Sequence, residues 1–282
     1  MTRYLRSRAR TIPGQHTGVG YRIGQAGHKG RTLASVDTRS LHNQSSGHGN
    51  TLVRAASAAS HSCLMTSPLG RRPTSRVAIV TGGSRGVGRA IVRSLAARGY
   101  AVVVNYLHDQ HAAESTVEAV LADNGSAVAV RADVADELDV ERLFAETDWM
   151  FGGVDVVVHT VQAQVSDVPL AEASLDRFDD WCRINTRAAF IVNREAARQL
   201  RSGGTIINLT SSVADSALSS YGAYAATTAA TGVLTRVLAA ELRQREITVR
   251  AAALQVDRAC DPNKVAYVVT CLLTNDRNGR AQ

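Results

Sequence analysis

The sequence predicts an α/β fold: a single doubly wound parallel sheet of about six strands, flanked by helices on both faces. Three observations predict it. From Arg76 onward, short β-branched runs alternate with longer runs of helical period. The first of those runs leads straight into a loop with four glycines, three of them (Gly82, Gly86 and Gly88) in a dinucleotide-loop spacing, and the loop opens a helix. Residues 1–74, by contrast, hold no sustained period of either kind.

In chain order, Val77–Thr81 is apolar and β-branched enough for a strand buried on both faces. A helix from about Gly86 to Arg98 stops at Gly99, and Ala101–Tyr106 is the second strand. A helix over Gln110–Ala122 ends at Asn124-Gly125 and gives way to a third strand, Ala127–Ala132. The amphipathic run Glu137–Met150 then separates that strand from a fourth, Val154–His159. One long helix is expected over about Ser174–Arg201, then strand five, Thr205–Thr210. A second long helix covers about Tyr221–Arg245, strand six is Thr248–Leu254, and a last helix runs over about Pro262–Leu273. Repeated strand–helix units of this length require right-handed crossovers into one sheet.

Charge divides the chain. Residues 1–64 hold nine of the 32 Lys/Arg and one of the 25 Asp/Glu, leaving 23 basic and 24 acidic residues beyond. The basic isoelectric point therefore belongs to a tail, and the remainder is near neutral, which argues against a nucleic-acid partner. Rich in Gly, Ser, Arg and His, residues 1–74 bury too little apolar surface to offset their ordering entropy, so the expectation is a disordered basic tail before a domain over 75–282. The tail reads as an extended leader, as a transit peptide or as a charged arm, and Met65 is a candidate internal start. Its histidines (His16, His28, His42, His48, His61) are scattered solvated residues. The four cysteines show no metal or disulfide spacing and read as thiols of a reducing, cytoplasmic setting, with an organelle as the alternative if the leader is a transit peptide. No apolar run approaches the ~18 residues of a membrane span, so a soluble protein without a membrane partner is expected.

The loop reads Thr81-Gly82-Gly83-Ser84-Arg85-Gly86-Val87-Gly88. Gly82 permits the tight turn, Gly86 lets backbone approach a pyrophosphate, and Gly88 lets helix pack on strand. The helix N-terminus then offers free N–H groups and a positive dipole end to phosphate. In this strand–loop–helix context the pattern predicts a Rossmann-type dinucleotide site. The second strand ends Asn105-Tyr106 without the carboxylate that accepts an NAD ribose hydroxyl. Arg85 can pair with a 2′-phosphate instead, so NADP(H) is expected over NAD.

From the glycine loop through Arg131-Ala132-Asp133-Val134, Ile184-Asn185, Asn208-Leu209-Thr210-Ser211-Ser212 and Tyr224, the chain resembles the short-chain dehydrogenase/reductase family, particularly its 3-oxoacyl-carrier-protein-reductase-like members. The resemblance implies that Asp133 contacts adenine, Asn185 holds a proton-relay water chain, Ser212 orients the substrate oxygen, and Tyr224 exchanges its proton. It implies hydride transfer between a nicotinamide and a small carbonyl or alcohol substrate. It also implies a homodimer through the two long helices. Beside those roles stand plainer ones: Tyr221 competes with Tyr224, Ser212 could simply turn the chain, and Asn185 could be structural.

The pattern departs from the family in five places. Four residues after Tyr224, where the family has a lysine that bonds the nicotinamide ribose and lowers the tyrosine pKa, stands Thr228, able to keep a ribose hydrogen bond but not a charge. The family's Asn-Asn-Ala-Gly after strand four reads His159-Thr160-Val161-Gln162, putting bulk where backbone approaches the cofactor. Its Pro-Gly after strand six reads Leu254-Gln255, Val256–Asp261 is too short for a substrate lid, and the sequence stops where a seventh strand is expected. The expectation is an enzyme of low or altered activity; a cofactor-binding pseudoenzyme with a regulatory or structural role, or a non-functional relic, stands against it.

Overall fold

The computed structural model describes residues 75–213, 218–254 and 260–278. The expectations for residues 1–74, for residues 255–259 and for the end of the chain lie outside them. Six strands form one sheet, β1 (Val77–Thr81), β2 (Ala101–Tyr106), β3 (Ser126–Arg131), β4 (Val154–His159), β5 (Leu200–Ser211) and β6 (Thr248–Leu254), in the order β3-β2-β1-β4-β5-β6. Every neighbouring pair is parallel. The chain thus leaves β1 first toward β2 and β3, then returns to place β4 on its other side. That reversal is the topological switch point, where a crevice opens beyond the carboxyl ends of the strands.

Period-two alternation sorts the core into two layers. Ala78, Val80, Val102, Val104, Val156 and Val158 face α1 (Gly86–Ala96), α2 (Gln110–Ala122) and α7 (Pro262–Asn278) through Ile91, Leu95, Val120 and Val269. Ile79, Val103, Val157 and Ile206 face α3 (Glu137–Phe151) and α5 (Ala188–Gln199), and Leu238 at the end of α6 (Gly222–Glu241) packs against the same layer. Side-chain caps start several helices: Asp109 accepts from Ala112 N–H, Asp136 from Asp139 N–H and Ser174 from Arg177 N–H. Gly152, at φ 74°, ends α3 in the left-handed conformation expected of a C-terminal glycine.

Both long helices and strand five differ from expectation. The helix expected over Ser174–Arg201 is three pieces: α4 (Leu175–Trp181), a π-helical turn over Cys182–Arg187, and α5. Leu200 and Arg201 already belong to β5, which therefore starts earlier than Thr205. The widened turn lies where Asn185 leaves the helical pattern to make tertiary hydrogen bonds. A π-bulge at a polar, hydrogen-bonded residue is a recurrent device at functional sites. The other predicted long helix, Tyr221–Arg245, is α6 followed by a separate turn of 3-10 helix at Arg243–Arg245.

Candidate functional site

The glycine loop is held by its neighbours before any ligand arrives. Asn105, buried on β2, accepts from Gly82 N–H at 3.3 Å through its side chain and from Gly83 N–H at 2.9 Å through its carbonyl. Its amide in turn donates to Ala132 O at 3.0 Å, tying the loop to the end of β3. Thr116 of α2 donates to Ser84 O at 3.0 Å. Gly82 and Gly86 have φ of 63° and 52°, which side chains rarely adopt. At Gly88 the need is space: a Cβ would lie 2.1 Å from Gly82 O. Unlike the capped helices, α1 begins at Arg85 with no side-chain cap, so its first N–H groups keep no intrahelical acceptor and remain available to an anion.

A cleft of about 510 Å³ opens over this loop at the switch point. Of the predicted cofactor residues, Gly82, Ser84, Arg85, Val87, Gly88, Asn105, Tyr106, Asp133 and Val134 line it. Thr81 is fully buried: it takes Thr160 N–H on its hydroxyl at 3.0 Å and Thr160 Oγ–H on its carbonyl at 2.6 Å. A Cβ on Gly86 would meet open space.

Two charged residues that the sequence reading passed over also reach the cleft. No acid ends β2, yet Asp109, three residues later, brings a carboxylate to the same rim, 3.5 Å from Arg85 Nη1. Its sequence signal is that of a helix cap. Arg183 forms an ion pair with Asp133, whose other oxygen accepts from Ala135 N–H at 2.9 Å. Fifty positions separate that pair, and nothing local announces it.

The chemical candidates gather elsewhere. Tyr224 is 1% exposed, its ring edge-on to Trp181 with centroids 5.7 Å apart, and its hydroxyl donates to Ala163 O at 3.2 Å. Burial raises its pKa above the ordinary value, so the phenol stays protonated at neutral pH. Tyr221 is half-buried at the start of the same helix. Asn185 is buried: its side chain accepts from Ala163 N–H at 2.8 Å and donates to Thr227 Oγ at 2.9 Å, while its carbonyl accepts from Thr231 Oγ–H at 3.2 Å. The Thr228 hydroxyl is spent within its own helix, donating to Ala225 O at 3.1 Å and Tyr224 O at 3.4 Å. Ser212 is half-buried at the end of β5, its N–H donating to Leu254 O at 2.9 Å. None of Asn185, Ser212, Tyr224 and Thr228 is among the residues lining the cleft.

Between the two groups runs the segment after β4. Thr160, Val161 and Gln162 face the cleft, while Ala163 carries the backbone groups that Asn185 and Tyr224 bind. At the base of the segment, His159 is buried with Nδ1 3.0 Å from Thr81 Oγ and with Nε2 lacking a partner. Burial lowers its pKa to about 4, so the imidazole is neutral.

A match to the short chain dehydrogenase family model spans residues 76–256. The chain belongs to the short chain dehydrogenase family. This is a family of oxidoreductases that bind nicotinamide cofactors. The chain is 39% identical over 179 residues to versicolorin reductase 1 of Aspergillus parasiticus, covering 63% of this chain and 68% of that one. It is 37% identical over 188 residues to NADPH-dependent aldehyde reductase 2, chloroplastic, of Arabidopsis thaliana, covering 62% and 69%. A crystal structure of a dehydrogenase from Burkholderia cenocepacia with bound NADP superposes with a TM-score of 0.62 at 29% identity, over 70% of this chain and 74% of that one.

Proposed function

We propose that the chain is an NADP(H)-dependent oxidoreductase of low or altered activity, resembling the 3-oxoacyl-carrier-protein reductases and acting on a small carbonyl or alcohol compound. The observation that carries the reading is the uncapped N-terminus of α1 over a glycine loop at the switch point, with Arg85 at its rim. The aldehyde reductase is named as NADPH-dependent and the Burkholderia dehydrogenase holds NADP, which favours the phosphorylated cofactor.

The loop and helix would hold the pyrophosphate, Arg85 the 2′-phosphate, and the Asp133–Val134 turn the adenine. A reduced nicotinamide, when bound, supplies hydride to a carbonyl carbon. Tyr224 holds the proton: with its pKa raised by burial, it is a donor to a developing alkoxide rather than a base toward an alcohol. Ser212 would orient the substrate oxygen. Asn185 keeps the region around Ala163 and Thr227 in register. Thr228, in the place of the family's lysine, brings no charge to lower the tyrosine pKa, which is why the activity is proposed to be low. A homodimer fits the apolar groove between the π-helical turn, α5 and α6, where Phe190 and Val233 are about half exposed. The proposed setting is the cytoplasm, or an organelle if residues 1–64 direct it there.

The second reading is a cofactor-binding pseudoenzyme. The hydroxyls of Tyr224 and Thr228, both spent on backbone carbonyls, favour it. NADPH oxidation with a panel of ketones, in the wild type and in Thr228→Lys, separates the two. Slow turnover that the lysine raises by roughly 10³ matches the enzyme reading, since tuning of a general acid is worth about that factor. Bound NADPH with no oxidation in either form sinks it.

A further inference from the structure

We infer that the Asp133–Arg183 ion pair reads the six-position of the cofactor's purine with an acceptor and a donor side by side, so that the chain takes a 6-oxopurine dinucleotide as well as an adenine one. The inference rests on the dinucleotide reading above and names the range of base that the site accepts.

Asp133 and Arg183 both line the cleft. Their side chains are 21% and 49% exposed, so both keep surface for a ligand. The turn that carries Asp133 is held without help from Arg183. Asp133 N–H donates to Asp139 Oδ2 at 2.8 Å, Asp133 O accepts from Asp136 N–H at 2.9 Å, and Arg187 Nε donates to Ala135 O at 3.0 Å. Asp139 has its own arginine, Arg142, at 2.8 Å. Arg183 comes from the π-helical turn, where its carbonyl accepts the wide hydrogen bond from Ala188 N–H. Its guanidinium is an addition to a turn already built, and an ion pair this exposed contributes little to stability.

What the pair supplies is a mixed hydrogen-bonding edge. One oxygen of Asp133 accepts from Ala135 N–H at 2.9 Å and the other from Arg183 Nη2. A carboxylate oxygen has more than one acceptor position, and a guanidinium carries more N–H donors than one oxygen takes, so both partners keep capacity. Adenine presents an amino donor at C6, which Asp133 can accept. A 6-oxopurine presents an acceptor there instead. Against a carboxylate alone that oxygen would meet like charge and no donor. Beside Arg183 it finds a donor, and the arginine offsets the charge of the carboxylate.

The test titrates the full chain by calorimetry with NADPH and with deamino-NADPH, in which hypoxanthine replaces adenine. The readout is the ratio of the two dissociation constants. A hydrogen bond to a charged group is worth roughly tenfold or more in affinity. In the wild type the two constants should agree within about fivefold. Arg183→Met leaves the carboxylate alone, and deamino-NADPH should weaken at least about tenfold more than NADPH. Asp133→Ala leaves the guanidinium alone and should invert the preference, with deamino-NADPH the tighter ligand by about threefold or more. Arg183→Lys keeps a charged donor and should hold the wild-type ratio. Both ligands are measured on the same variant, so a merely structural role moves them together and leaves the ratio unchanged. A wild-type preference for NADPH of more than about fivefold overturns the inference and leaves the cofactor reading standing. So does a ratio that stays at its wild-type value in Arg183→Met or in Asp133→Ala. Failure of both ligands to bind the wild type overturns the cofactor reading, and the inference with it.

Discussion

The carboxyl edge of the sheet is built in two contrasting ways. Over β1, β2 and β3 the polar groups are arranged and left open: the glycine loop is clamped from below by Asn105 and Thr116, while the first N–H groups of α1 point at nothing in their own helix. Over β4 and β5 the polar groups are consumed. Asn208 donates to Asn193 and Thr235, Asn193 donates back, Thr231 closes on Asn185, and Asn185 on Thr227. A region meant to receive a ligand keeps donors unspent, at some cost in stability. A region that satisfies every donor internally is rigid and specific, and expensive to open. In this chain the two regions meet at Gln162.

The largest expected effect tests the open side. Replacing Gly88 with alanine sets a Cβ 2.1 Å from Gly82 O and 2.8 Å from Gly82 C, both backbone atoms that cannot swing aside. Overpacking of this kind costs about 3 kcal/mol, and the loop geometry fails before the rest of the fold. NADPH affinity should fall by roughly 100-fold or more, with a lowered urea midpoint. Gly86→Ala separates packing from ligand approach. Its Cβ meets no protein atom and has only its φ of 52° to contend with, so about 1–2 kcal/mol of stability is expected to be lost, while NADPH affinity falls as well because the backbone approaches the pyrophosphate there. An equal drop in urea midpoint at the two positions would mean that close packing of α1 on the loop does not shape the site.

A smaller effect probes the closed side. His159 is buried and neutral beside Thr81, with a pKa of about 4 produced by burial alone. In the unfolded chain the imidazole titrates near 6.5. Between those values the unfolded state binds more protons, so stability rises with pH through that window. The contribution is complete above about pH 6.5, is lost progressively toward pH 4, and is flat below it. Its size is about 3 kcal/mol. Urea unfolding of the wild type and of His159→Asn over this range should show the slope in the first and a flatter profile in the second. A slope that survives the substitution assigns it to the carboxylates instead.

How much of this was legible in the sequence depends on the reach of each signal. The strands and the switch-point loop are written in local periods and glycine spacing; Asp133 was reached through the family resemblance, and the structure has it in the lining of the cleft. The π-helical turn at Cys182–Arg187 is not, because its neighbours on both sides keep good helix formers and the cause is tertiary: Asn185 bonds to Ala163, Thr227 and Thr231. Strand five begins at Leu200 because Leu200 pairs with Val154 across a register shift, which no local pattern marks. The uncharged residue at 228, four after Tyr224, was legible; the fate of the Thr228 hydroxyl, which turns back to its own helix, was not. The bulk at Val161 and Gln162 was legible too; that Gln162 crosses to Leu209 was not.

The smallest effect sharpens the comparison at its outer rim, where Arg85 and Asp109 face each other. Their side chains are 71% and 37% exposed, so the pair itself contributes little to stability and is screened by salt. Its consequence is for selectivity. Arg85 offers a planar guanidinium to a 2′-phosphate, and Asp109 places a like charge against that phosphate. The two should therefore move NADPH affinity in opposite directions. Arg85→Ala is expected to weaken NADPH by roughly tenfold and leave NADH nearly unchanged, as for loss of one charge-assisted contact. Asp109→Asn is expected to tighten NADPH by about two- to threefold, with the gain shrinking as salt is raised. The asparagine can still cap α2 through Ala112 N–H, so the helix survives the change. Should Asp109→Asn weaken NADPH, the carboxylate is orienting Arg85 rather than opposing the phosphate; should it weaken NADH while NADPH tightens, the carboxylate is holding the ribose hydroxyls and the rim has to be assigned to NAD.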